Sequence, residues 1–185
     1  SGLDTGSNPD VTTDTLSDTT VTLSRSTWFV VIKCDITSIS NSGCVIEIQN
    51  ENQDTFRIRQ DSSTNNIATH TYQVSARTGN KTDSGVTSTT DTEMWTFHYG
   101  NTTTAGKIYK NGDETAGVSN GTIQDITFDM SVDNANVDIG VANQHDISGS
   151  NDFDGRIYEI LCYNGGLSDA NRRAVEGYLK FKYNL

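Results

Sequence analysis

The sequence predicts an all-β fold: an antiparallel sandwich of two stacked sheets with one short C-terminal α-helix. Three observations predict it. Short apolar runs recur at near-regular spacing along the chain, most of them alternating with polar residues as half-buried strands do. Helical periodicity occurs once, after Ser168, whereas a parallel sheet would need helices between its strands. Asn111-Gly112, set between two short runs, favours the type I′ turn whose twist matches paired strands. No fixed-period repeat of the solenoid or propeller kind is present.

In chain order, residues 1–20 are polar, contain the only proline, Pro9, and read as an irregular lead-in. Residues 21–23 read as a short edge strand. Residues 27–34, Thr-Trp-Phe-Val-Val-Ile-Lys-Cys, are apolar on both faces and read as a central strand. The turn at Asn41-Ser-Gly43 then predicts that residues 44–48 pair back against them as a hairpin. In residues 55–60, Phe56 and Ile58 alternate with Arg57 and Arg59, the pattern of a strand with one wet face. Residues 67–76 repeat that pattern weakly, and 78–92, almost without apolar side chains, read as a long loop.

Residues 94–99 alternate again, with Trp95, Phe97 and Tyr99 on one face. Residues 107–115 form the Asn-Gly hairpin. Two more alternating strands follow, through Ile126, Phe128 and Met130 and through Val137, Ile139 and Val141, separated by a turn at 133–135. Residues 157–163 place Ile157, Leu161 and Tyr163 on one face and Tyr158, Ile160 and Cys162 on the other, as a mid-sheet strand would. Asn164-Gly165-Gly166 ends it. Ser168 is the N-cap of a helix over 168–183 whose apolar side carries Val175, Tyr178, Leu179 and Lys182.

A chain of 185 residues suits one sandwich domain, residues 1–185. With 24 acidic and 13 basic side chains the net charge is −11, which repels a phosphate backbone and excludes nucleic acid as an expected partner. Three cysteines make neither a disulfide framework nor a zinc spacing. In the expected hairpin Cys34 and Cys44 would lie opposite each other, so either a cross-strand disulfide or two free thiols fits. No apolar run reaches the roughly 20 residues of a membrane helix, and Ser1-Gly-Leu-Asp-Thr-Gly-Ser lacks the regions of a signal peptide. A processed secreted protein, a module of a longer chain and a virion protein all read this way.

The order Phe153-x-Gly-x-Ile-x-Glu-x-Leu-x-Tyr-Asn164, then Leu167-Ser-Asp, then a helix ending Gly177-Tyr-Leu-x-x-Lys-Tyr183, resembles the closing segment of laminin-G-like and pentraxin-like domains of the concanavalin A-like lectin and glucanase superfamily. Lys107-x-Tyr-x-Asn-Gly112 is similar to a hairpin that recurs in laminin-G-like domains. Asn171 departs from a capping-box Glu, and Gly177 sits inside the helix. The resemblance implies a concanavalin A-like jelly-roll β-sandwich and a lectin-like role.

Related laminarinase-type enzymes carry Glu-x-Asp-x-Glu on one strand, and the nearest match here is Glu47-Ile-Gln-Asn-Glu51. Gln49 stands where the central acid would be, so hydrolysis by paired carboxylates is not expected. His70, His98 and His145 have no metal-triad spacing, and the sequence holds no nucleophile elbow, P-loop or dinucleotide fingerprint. Asn80, Asn101 and Asn120 head glycosylation-type triplets, which suggests only that they are exposed.

Glycan recognition wants a flat aromatic for the sugar's C–H face and amides or carboxylates for its hydroxyls. The loop 143–152 supplies Asn143, Gln144 and His145 as candidate sugar contacts, with Trp95 and Tyr99 as candidate aromatic partners. Their alternation with Phe97 also fits core packing. Related folds bind Ca²⁺ at similar loops, which makes Asp146, Asn151 and Asp152 the candidate metal ligands. The function expected is a non-catalytic lectin-like module for carbohydrate binding or adhesion on an extracellular or virion surface. The alternatives are a phage structural protein, such as a capsid-decoration or tail-associated subunit, and, last, a glycoside hydrolase. Expected partners are cell-surface glycans or other virion and surface proteins, with no membrane insertion and a homo-oligomer left open.

Overall fold

In the computed structural model of the chain, residues 20–37, 40, 42–50, 52, 54–73, 78–99, 106–119, 126–129, 136–140 and 152–185 are described. Their strands are β1 (Thr20–Thr22), β2 (Ser26–Cys34), β3 (Gly43–Gln49), β4 (Thr55–Gln60), β5 (Asn66–Gln73), β6 (Thr78–Thr87) and β7 (Thr92–His98). There follow β8 (Lys107–Lys110), β9 (Asp113–Glu114), β10 (Val118–Ser119), β11 (Thr127–Asp129), β12 (Asn136–Ile139), β13 (Gly155–Asn164) and helix α1 (Asp169–Tyr183). One sheet runs β10-β6-β5-β4-β3-β12, the other β13-β2-β7-β8-β9, and β1 pairs with β11. All of these pairings are antiparallel. The two-sheet sandwich with one terminal helix is the architecture the alternating runs predict.

The interior lies between the sheets. Trp28, Val30 and Ile32 of β2 meet Ile46, Ile48, Phe56 and Ile58 from the six-stranded sheet, together with Trp95, Phe97 and Tyr99. Phe56 joins the layers: its ring is 5.2 Å from Trp28 and 6.3 Å from Tyr99. Burying each such side chain contributes about 1.5–3 kcal/mol. On the other face of β2, Phe29 and Val31 form a second cluster with Met94 and Leu179 of the helix. The residues of β2 other than Lys33 are therefore buried whichever way they point.

Several expectations are corrected. β2 and β3 do not form a hairpin; they belong to different sheets and face each other across the interior. Apolar pattern fixes which side of a strand is buried but not which sheet it joins. Cys34 accordingly lies in the interior, whereas Cys44 is paired in register with Arg59 of β4, and both are buried free thiols. Burial pushes their pKa values up, to about 11 and about 12, so neither is a ready nucleophile.

β13 is an edge strand, paired on one side with β2. A bulge between Ile157 and Glu159 shifts its register and moves Ile157 to the side of Ile160: both pack on the interior cluster, and Leu161 lies under the helix. Residues 78–87 are strand β6 rather than loop. Its inward residues include Thr82 and Ser84, 5% and 0% exposed, and Val86, so a single apolar side chain is all that could announce it.

α1 begins where expected, with the Ser168 hydroxyl accepting from the Asn171 N–H at 3.2 Å. It ends at Asn184 in the left-handed conformation. Its buried positions, however, are Arg172, Glu176 and Leu179, whereas Tyr178 is exposed. The Asn111-Gly112 turn has positive φ at both residues, 49° and 84°, as type I′ requires. The turn at 133–135 and all of the lead-in except Thr20 lie outside the described residues.

Candidate glycan-binding face

Outward residues of the six-stranded sheet line up across five strands. Asp138 of β12 is opposite Glu47 of β3, Glu47 opposite Arg57 of β4, Arg57 opposite His70 of β5, and His70 opposite Lys81 of β6. Directly opposed residues share a face in an antiparallel ladder, so this is one polar row. On one side of it runs Gln49, Thr55 and Tyr72; on the other run Arg59, Ala68 and Asp83. The outer face of the other sheet is occupied by α1. No described helix lies over this one.

The row is built of ion pairs. Arg57 Nε donates to Glu47 Oε2, Arg59 Nη2 meets Asp61 Oδ2 at 2.7 Å, and Lys81 Nζ bridges Asp61 at 2.9 Å and Asp83 at 3.2 Å. Burial raises the pKa of Glu47, against the pull of Arg57. Burial opposes ionisation of Asp61 too, yet hydrogen bonds from Ser63 and Lys81 and the charge of Arg59 hold it well below the carboxylate range. His70 is pushed down to about 4, by burial first and then by Arg59 and Arg57, so it is neutral at pH 7.

Seven buried side-chain polar atoms among the described residues have no hydrogen-bond partner, and four of them lie on this face: Glu47 Oε1, Gln49 Nε2, Arg59 Nε and His70 Nδ1. Glu47 is 0% and Gln49 4% exposed. Native structures leave few such groups unpaired, and each costs about 1–3 kcal/mol. Their clustering on one sheet face singles that face out.

The described residues on either side of the segment expected to bind sugar and metal meet β3 near its start. Gly140 donates to Val45 O at 3.0 Å, Phe153 donates to Gly140 O at 2.8 Å, and Asp152 bridges to Cys44. Asn143, Gln144, His145, Asp146 and Asn151 lie outside the described residues; Asp152 is exposed. Among the described residues no three His, Cys, Asp or Glu side chains are grouped as metal ligands. Trp95 and Tyr99 are placed elsewhere: 0% and 2% exposed, they are interior residues with no free ring face for a sugar. Trp95 Nε1 donates to Glu93 at 3.1 Å, which explains how an indole sits so deep.

Sequence reasoning missed Glu47 as a partner of Arg57, and it missed His70 and Lys81. A charged residue inside an otherwise apolar strand was the available signal. Of the Glu47-x-x-x-Glu51 spacing, Glu47 has no exposed surface and is bound to Arg57, and Glu51 lies outside the described residues.

A concavity of about 530 Å³ lies between the β8–β9 hairpin and α1. Its charges are matched: Arg172 Nη1 contacts both Glu176 oxygens at 2.6 Å, and Lys107 meets Glu114 at 3.0 Å.

No protein-family model matches the chain, and no curated protein matches its sequence. Among solved structures it is similar to the CBM40 of the Ruminococcus gnavus IT-sialidase, with a TM-score of 0.57 and 16% identity over 83% of both chains. That module has also been solved bound to α2,3 and to α2,6 sialyllactose. The heptameric SAP-like pentraxin from Limulus polyphemus matches at a TM-score of 0.56 and 16% identity, over 85% of this chain and 70% of that one. Botulinum neurotoxin type C, whose cell entry depends on interaction with two ganglioside molecules, matches at 0.52 and 12%, over 85% of this chain and 37% of its own. The fold is thus the two-sheet antiparallel β-sandwich that these structures share.

Proposed function

We propose that this chain is a non-catalytic carbohydrate-binding module that holds a glycan on the outer face of its six-stranded sheet. The observation that carries the reading is the set of unpartnered polar atoms on Glu47, Gln49, Arg59 and His70. A hydroxyl-rich ligand supplies what such atoms lack. The fold shared with a module bound to sialyllactose and with a toxin that depends on gangliosides supports the same class of ligand.

In this reading Asn143, Gln144 and His145 add further contacts to the sugar. Asp146, Asn151 and Asp152 hold a Ca²⁺ ion that stiffens the loop, carboxylate and amide oxygens being the ligands Ca²⁺ prefers. The module works on an extracellular or virion surface, where its partners are glycans or glycosylated surface proteins. No described helix is long and apolar enough to cross a membrane.

A glycan array on the intact chain tests the reading: a defined set of bound sugars supports it, and silence across neutral and acidic glycans overturns it. The metal is tested by calorimetric titration with Ca²⁺ and by melting in EDTA. No heat and an unchanged melting temperature would remove the ion and leave the glycan face standing.

A further inference from the structure

We infer that the sugar bound on this face is uncharged, a neutral oligosaccharide rather than a sialylated, uronic or sulfated one; the inference rests on the glycan reading above. Recognition of an acidic sugar needs a cation with charge to spare, best an Arg whose fork is open. Here the three described cations of the face are already engaged. Arg57 is bound to Glu47, Arg59 to Asp61, and Lys81 to Asp61 and Asp83. With Asp138 opposite Glu47, three cations stand against four carboxylates among the described residues, Glu47, Asp61, Asp83 and Asp138.

An anionic ligand would have to take a cation from one of these acids. The side chains of Glu47 and Asp61 are 0% and 3% exposed, so the displaced carboxylate would be left bare out of water. The chain's net charge of −11 adds a longer-ranged repulsion.

The unpartnered atoms fit hydroxyls instead. Glu47 Oε1 can only accept, Gln49 Nε2 and Arg59 Nε can only donate, and neutral His70 does either according to its tautomer. A hydroxyl gives one hydrogen bond and takes others, so neighbouring hydroxyls of one sugar can serve an acceptor and a donor together. A carboxylate donates nothing and would repel Glu47 Oε1. Glu47 and Gln49 point the same way two residues apart on β3, roughly 7 Å along the strand. Both atoms are shielded from solvent in the free chain, so binding requires the side chains around them to shift. The methylene stems of Arg57, Arg59 and Lys81, whose side chains are 12%, 20% and 18% exposed, can move while their charged ends stay on Glu47, Asp61 and Asp83.

The test is an array of neutral glucose-, mannose-, galactose- and N-acetylglucosamine-based oligosaccharides beside sialyllactose, glucuronate-containing and sulfated sugars. It is read at low salt and at about 1 M, where screening shortens to about 3 Å. Expected are hits among the neutral sugars that persist in salt, weakened roughly 3–10-fold by Gln49→Ala, about one hydrogen bond. Circular dichroism confirms that the variant is folded, and Gln49→Glu, which puts an acceptor in place of the donor, repeats the loss by a second route. Preference for acidic sugars overturns this inference while leaving the glycan reading intact. Silence on every sugar overturns both, and neutral hits indifferent to both Gln49 variants remove the assignment to this face.

Discussion

Arg172 lies over the ring of Tyr109, 3.7 Å from its centroid, and its Nη1 contacts both carboxylate oxygens of Glu176. Both charged side chains are 3–4% exposed, so the helix carries an ion pair where an amphipathic pattern would place apolar residues. Arg172→Met should destabilise the chain by about 3–5 kcal/mol, because Glu176 is left charged and unpaired. The double change Arg172→Met with Glu176→Leu should recover most of that loss in urea denaturation. Equal destabilisation of the single and double variants would show that the stacking on Tyr109, rather than the pair, matters.

Trp95 separates packing from recognition. Trp95→Phe keeps an aromatic in the interior but removes the hydrogen bond to Glu93, itself 2% exposed. The expected cost is about 1–3 kcal/mol of stability with glycan affinity unchanged. A loss of sugar binding at full stability would restore Trp95 to the site.

Acid should weaken the fold first through its histidines. Burial lowers the pKa of His70 to about 4, and burial followed by Arg172 lowers that of His98, whereas an unfolded histidine titrates near 6.5. Between those values the unfolded chain binds more protons, so stability present above about pH 6.5 falls as pH drops toward 4. Glu47, raised by burial, takes up its proton earlier in the folded chain and opposes the trend. Melting temperature against pH should therefore flatten over this window in His70→Gln, and less so in His98→Gln. A His70→Gln profile that follows the parent would contradict the buried, neutral His70.

The hairpin turn tolerates little change. Gly112 has φ +84°, and a Cβ there would lie 3.1 Å from Lys180 Nζ. Gly112→Ala should cost about 1–2 kcal/mol from the left-handed backbone alone, lowering the melting temperature by several degrees. Calorimetry checks it; an unchanged midpoint would mean that the turn can relax to another type.

Strands whose inward residues are apolar were legible: Trp28 to Ile32, Phe56 with Ile58, and Trp95 with Phe97 announce themselves by period. β6 did not, because Thr82 and Ser84 are small hydroxyl residues that fill space beside the interior without registering as hydrophobic. The sheet membership of β2 and β3 was also hidden. Both carry the same alternation whether they lie side by side or face to face, and only long-range packing distinguishes the two. For the face, the outward pointing of Arg57 and Arg59 could be read directly. The row could not, since positions 47, 57, 70 and 81 follow no period and meet only through three strand registers.

β2 is a partition wall with a compartment on either side: Trp28, Val30 and Ile32 furnish one, Phe29 and Val31 the other, which is roofed by Leu179. Removing the terminal helix would strip one side of the strand on which the whole sandwich leans, and the exposed Phe29–Val31 stripe would invite aggregation. The last turns of the chain are thus a structural keystone, and a shortened version ending at Asn164 should not persist as a soluble domain.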